Sequence, residues 1–174
     1  MYRTFALALV FSIRVCAQTT LSGTIGGMTL DSTGNPYLII DNLTVPSGKS
    51  LRINAGCVLL FKPFTGVVVE GSIEVLGTGE SPVAFTSEND SRYNLQSSEA
   101  ASPFDWNGIH ITRDSDEAWF CNTLIAYSVY GLKSESRQVR LENGVFYQNG
   151  QFHFTIRDRI GRIPDLWPFF CRGC

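Results

Sequence analysis

Residues 43–90 read LTVPSGKSLRINAGCVLLFKPFTGVVVEGSIEVLGTGESPVAFTSEND. Two short stretches in it, Leu51-Arg-Ile53 and Ile73-Glu-Val75, alternate apolar, charged, apolar and begin 22 residues apart. Alternation with period two places one side chain in a core and the next in solvent. Fuller apolar runs stand between them, Val58-Leu-Leu-Phe61, Val67-Val-Val69 and Val83-Ala-Phe85. Gly, Asn, Ser and Pro separate the runs, and no helical period of 3.6 survives more than a few residues.

The pattern continues outward. Ile109-His-Ile111, Val139-Arg-Leu141 and Phe152-His-Phe154 also alternate, and Leu124 to Phe146 and Tyr130 to Phe152 repeat the 22-residue spacing. A period of about 20–30 residues built from several short strands is the mark of a solenoid, in which each coil buries its inward side chains on the next. The competing architecture, an antiparallel sandwich, needs hairpin turns every 8–12 residues or so. No Asn-Gly or Asp-Gly turn here is flanked by alternating strands on both sides. Asn143-Gly144 and Asn149-Gly150 instead fall at corner positions of the repeat. The expected fold is therefore all-β, a parallel solenoid of about five coils, near 24 Å long at the usual strand spacing.

The residues Pro46, Gly48, Leu51, Ile53, Gly56, Gly71, Ile73, Val75, Gly77 and Phe85-Thr-Ser87, with Trp106-Asn-Gly-Ile109, resemble the opening coils of secreted right-handed parallel β-helix proteins of the pectin-lyase-like superfamily. The resemblance covers roughly residues 40–156. It implies a right-handed β-helix and says little about activity, because this architecture hosts lyases, hydrolases, adhesins and inert stalks. Enzymes of the family cluster carboxylates on one outward face. Lyases add calcium and a Lys or Arg base, whereas hydrolases pair acids beside a Gly-His-Gly. This chain has no Asp-Asp pair, no Gly-His-Gly and no Asn-Thr-Asp.

Composition narrows the function further. The 174 residues are 44% hydrophobic and 17% charged, with 16 Gly and a formal charge of −2. Neutralising phosphates needs a basic surface, so nucleic acid is not the expected partner. Residues 1–17, MYRTFALALVFSIRVCA, have the layout of a secretory signal peptide: Arg3, an apolar run from Phe5 to Ile13, then Val15 and Ala17 before Gln18. That run is too short for a bilayer core of about 30 Å, and no later segment is long and apolar enough to span. Cleavage there would remove Arg3 and Arg14 and no acid, taking the charge from −2 to −4.

The domain is expected over 18–156. The tail 157–174 breaks the alternation, and its Leu166-Trp-Pro-Phe-Phe170 and basic residues read either as a cap on the open coil end or as the edge of a longer protein. Four cysteines remain after residue 17. Cys57 and Cys121 sit in apolar strand-like runs and are expected as buried free thiols, while Cys171-Arg-Gly-Cys174 has no βαβ unit around it. The polar segment 87–105 reads as a loop excursion, with one helical turn expected over 97–101.

Candidate site residues are sparse. Asp114-Ser-Asp116-Glu117, with Arg113 and Lys133, is the best acid–base set. A calcium ion would want six to eight oxygens, more than one local run supplies. Asp90 and Asp105 in the loop are weaker still. His110 and His153 are expected to point outward about two coils apart, as ordinary surface residues. Among Tyr93, Trp106, Trp119, Tyr127, Tyr130 and Tyr147, the rings of Trp106, Trp119 and Tyr127 are the candidates for stacking on sugars, against the alternative that they stack inward in the coil. Asn42-Leu-Thr44 and Asn89-Asp-Ser91 have the form of sugar-acceptor triplets, whose use depends on the host cell. The functional expectation is an exported, non-catalytic scaffold or adhesin contacting polysaccharide. The alternative is a small or truncated polysaccharide lyase or hydrolase.

Overall fold

The computed structural model describes residues 18–156 and the backbone of 159–161. The chain climbs through short parallel strands. The first two turns hold β1 (Thr19–Thr24), then β2 (Met28–Leu30) and β3 (Tyr37–Val45). Four coils of three strands follow: β4 (Ser50–Asn54), β5 (Val58–Phe61), β6 (Gly66–Val69); β7 (Ser72–Leu76), β8 (Val83–Ser87), β9 (Gly108–Ile111); β10 (Ala118–Cys121), β11 (Thr123–Ala126), β12 (Leu132–Ser134); and β13 (Val139–Glu142), β14 (Val145–Tyr147), β15 (Phe154–Ile156). The result is an all-β parallel solenoid of about six turns, close to the five expected.

Three faces arise from this order. Face one stacks β2-β4-β7-β10-β13. Strand β3 is long enough to serve the other two: Tyr37–Ile39 pairs with β5, and Leu43–Val45 pairs with β6. Face two then continues β5-β8-β11-β14 and face three β6-β9-β12-β15. Burial along β3 shows why it bends. Both ends alternate, whereas Ile40, Asp41 and Asn42 are three exposed residues in a row, which no flat strand could bury on one side.

Side chains stack inward in register. Leu30, Ile53, Val75, Phe120 and Leu141 form one column on face one. On face two the column is Tyr37, Leu59, Phe85, Ile125, Phe146, and on face three it is Leu43, Val67, Ile109, Leu132, Phe154. The coil-to-coil step is 22 residues at Leu51 and Ile73 and 21 at Leu124, whose partner is Val145 rather than the Phe146 implied by strict repetition. Trp106 resumes the coil after the excursion. It is fully buried, its ring lies 4.0 Å from that of Phe61 in near-parallel stacking, and its Nε1–H donates to the Ala126 carbonyl at 2.8 Å. At the corner before β12, Gly131 has φ +52° and an added Cβ would lie 1.9 Å from the His153 carbonyl oxygen. Only glycine fits there.

Three expectations are corrected. Residues 97–101 are irregular, with a single bend at Glu99; the one helix among the described residues is a 3₁₀ turn at Ser32–Gly34, capped by Asp31 accepting from the Thr33 N–H. His153 is buried and sits at the corner before β15 rather than on an outward strand position. Cys121 is a free thiol but only half-buried, because it points outward in the column Asn54, Leu76, Cys121, Glu142. The leader-like residues 1–17 and the Leu166–Phe170 cluster, Cys171 and Cys174 lie outside the described residues. Before them the chain reverses: β16 (Arg159–Gly161) pairs antiparallel with β15 and covers its edge on face three.

Trp106→Ala is expected to cost about 3–5 kcal/mol in urea unfolding, because it empties the space between two coils. Burial, aided by the charge of Asp31, pushes the Cys57 thiol from about 9 up to about 11. The unfolded chain gives up that proton sooner, so stability is expected to fall as pH climbs from about 9 toward 11. In native protein, alkylation should reach Cys121 well before Cys57, which mass mapping would show.

Candidate functional site

The 88–105 excursion is exposed along much of its middle, Leu95 most of all, but its two ends are tied down. It folds over the outward side of face two. Alternation puts Leu60, Thr86 and Ala126 on that outer side, yet all three are buried. The anchor is Asp90, only 2% exposed. Its carboxylate accepts from Thr86 Oγ1 at 2.7 Å, and from Arg92 Nε at 2.9 Å and Nη2 at 2.7 Å. Burial alone would raise the Asp90 pKa, but the hydrogen bonds from Arg92 and Thr86 outweigh it and hold the carboxyl below its ordinary value. At the far end Asp105 accepts from Ser87 Oγ at 2.6 Å and from Ser102, which closes the flap onto the strand it left.

Arg92 is the hinge of charge in this flap. Its guanidinium lies 5.7, 5.6 and 5.2 Å from the ring centres of Tyr93, Tyr127 and Tyr147. Tyr127 and Tyr147 meet edge-on at 5.5 Å. Rings over a cation fix it without a second carboxylate. Tyr127 is therefore placed against Arg92, mostly buried, rather than offered as a free platform.

Between this flap and the corner from face one to face two runs a groove of about 580 Å³. Leu124 and Val145, neighbours in register on successive coils, form part of an apolar floor. Arg92 and Tyr93 make the flap side, and Thr78, Gly79 and Pro82 the opposite rim. Asn122 and Asn143 stand at equivalent corners with φ of 45° and 51°. Asn tolerates this left-handed conformation better than other side chains, and Asn122 Nδ2 donates to the Gly77 carbonyl one coil away at 3.1 Å. Apolar floor, ring and amides in a row suit binding of an extended ligand. The described lining residues carry no carboxylate, thiol or imidazole.

The acid–base candidates meet elsewhere. Arg113, Asp114 and Asp116 line a shallow cleft of about 340 Å³ at the corner from face three to face one, with Glu135, Arg137 and Gln138. Asp114 and Asp116 are exposed, and between them Ser115 is buried and donates to the Gly71 carbonyl at 2.7 Å. Lys133 lies on the adjacent strand, 3.8 Å from Glu135. His110 Nε2 is 3.0 Å from the same carboxylate, and this hydrogen bond holds Glu135 below its ordinary value. Among the described residues, no group of three or more His, Cys, Asp and Glu side chains is placed to hold a metal ion.

Trp119 occupies the outward column Arg52, Glu74, Trp119, Arg140 of face one, where Arg52 pairs with Glu74 at 3.0 Å and Arg140 lies 5.2 Å from the Trp119 ring centre. Trp106, the remaining ring candidate, is enclosed in the core. Sequence reasoning named Tyr93 and Tyr127 but missed Arg92, Asn122 and Asn143. The 21-residue spacing of the two asparagines was a usable signal; Arg92 gave none, because its partners come from three separate segments.

No protein-family model matches the chain, and no solved structure matches it. A stretch of 54 residues is 39% identical to protein bark beetle of Drosophila melanogaster, covering 31% of this chain and 2% of that protein. The chain thus spans about 2% of the length of this curated relative.

Asp90→Asn should weaken the flap by about 1.5–3 kcal/mol, the usual worth of hydrogen bonds to a charged group. The expected readout is faster proteolytic cleavage within 88–105 with the far-UV spectrum unchanged. Because folding lowers the Asp90 pKa, the same release is expected in the parent protein as pH falls below about 4.

Proposed function

We propose that this chain is an exported, non-catalytic β-helix module of the pectin-lyase-like kind, serving as an extracellular or cell-surface scaffold that contacts polysaccharide. The groove beside the flap carries the reading. It combines a polar-tipped ring, Tyr93, with the amides Asn122 and Asn143 and the apolar pair Leu124 and Val145. Coils recur about every 4.8 Å, so the groove offers the same contacts at a regular interval, which suits a polymer of repeating units. An aromatic face with a polar edge matches a sugar ring, apolar on its C–H side and rimmed by hydroxyls.

The leader-like residues 1–17 support export, and in this reading the module is 18–156. No helix among the described residues is long and apolar enough to cross a membrane. The Arg113–Gln138 cleft favours a second reading, a small or truncated lyase or hydrolase working through Arg113, Asp114, Asp116 and Lys133.

A glycan-binding screen of the full chain tests the first reading. Tyr93→Ala is expected to weaken any retained polysaccharide about tenfold, the equivalent of one aromatic contact of about 1.4 kcal/mol. Absence of binding to every glycan class would sink it. Release of unsaturated uronate product, abolished when Arg113, Asp114, Asp116 and Lys133 are together replaced by Ala, would install the second.

A further inference from the structure

Two Asn-x-Ser/Thr triplets occur in the sequence, and the fold treats them differently. Asn42, in Asn42-Leu-Thr44, lies at the bend of β3 and is exposed, with its backbone N–H donating to Asp41 Oδ1 at 2.7 Å. Leu43 and Val45 on either side of Thr44 point into the core. The strand is therefore anchored by its alternate residues, and a bulky group on Asn42 disturbs none of them. Asn89, in Asn89-Asp-Ser91, is half-buried where the flap leaves β8, with its N–H donating to Ser87 Oγ and the buried Asp90 latch next in sequence.

The neighbourhood of Asn42 supplies a second observation. Lys62 N–H donates to the Ile39 carbonyl, and Leu43 pairs with Val67. The arch 62–66 therefore runs alongside Ile40–Asn42, one coil away. At its crest Phe64 is 87% exposed, and across from it Ile40 is 46% exposed. Ile40 and Phe64 thus expose apolar surface near one acceptor amide, and covering part of it would take that area out of water. The C–H face of a sugar ring is such a cover.

We propose that Asn42 is an N-glycosylation site and that its first sugar shields Ile40 and Phe64, whereas Asn89 stays unmodified. The inference rests on the export reading, since the sugar donor, a lipid diphosphate-linked oligosaccharide, is met on the secretory route. In the transfer, the Asn42 Nδ2–C1 bond forms as the C1–O bond to the lipid diphosphate breaks. One amide proton leaves with a base of the transferase, and nothing is oxidised or reduced. The Thr44 hydroxyl completes the acceptor triplet.

The full chain expressed in insect cells tests this by intact mass, with and without peptide-N-glycosidase F. The expected result is one glycan mass, removed by the enzyme, lost in Asn42→Gln and in Thr44→Ala, and kept in Asn89→Gln. A translocated chain without the added mass, or with its mass lost only in Asn89→Gln, overturns the proposal. Failure of export is read separately. If the full chain stays in the cytosol, a heterologous leader fused ahead of Met1 carries it into the secretory route. A glycan at Asn42 then upholds the site while the export reading fails, and no glycan overturns the site.

Discussion

Every face of this molecule depends on apolar side chains stacking coil upon coil in register. A single coil has no interior; its Leu, Ile, Val and Phe residues leave water only by lying on those of the coils above and below. Columns such as Leu59, Phe85, Ile125 and Phe146 remove that surface from water at roughly 25 cal/mol per Å². Backbone pairing follows the same rule. Parallel strands a coil apart satisfy one another's N–H and C=O groups, so burial and hydrogen bonding favour one register. The cost is at the ends, where edges must be covered, and β16 folding back on β15 is one local answer.

That constraint also explains what the flap does. Face two carries Leu60, Ala84, Thr86 and Ala126 on its outer side, an apolar strip unusual for a surface. Without residues 88–105 it would face water. The flap conceals it with few apolar residues of its own, and relies on a buried carboxylate, a guanidinium and three tyrosine rings. Such a latch is strong only while complete, because removing Arg92 leaves the buried Asp90 carboxylate without its counter-charge. The groove is the gap left where this cover stops short of Leu124 and Val145. The site is thus a by-product of how the fold hides a surface.

Part of this was legible in the chain. Strands β4 to β9 read directly from alternation and turn residues, since a side chain's inward or outward sense has period two whatever lies beyond it. The double role of β3 was not legible, because Ile40 is apolar and only the structure shows it exposed beside Asp41 and Asn42. His153 shows the limit. Phe-His-Phe looks like a strand with an outward histidine, but the strand starts only at Phe154 and the imidazole is buried at the corner before it. Trp106 shows another: a tryptophan after a polar loop reads as a plug or as a platform, and only its stacking on Phe61 decides.

The sequence by itself determined the repeat and the strand faces, because these depend on local alternation and on spacing near 22. Tertiary structure decided which residues meet. The excursion leaves the coil at Ser87 and returns at Trp106, and nothing local says whether it projects or lies flat. Its direction is set by the buried outer strip of face two and by Asp90 reaching Thr86. Arg92 meets Tyr127 and Tyr147 from coils 35 and 55 residues further on only because stacking brings distant segments within a few ångströms.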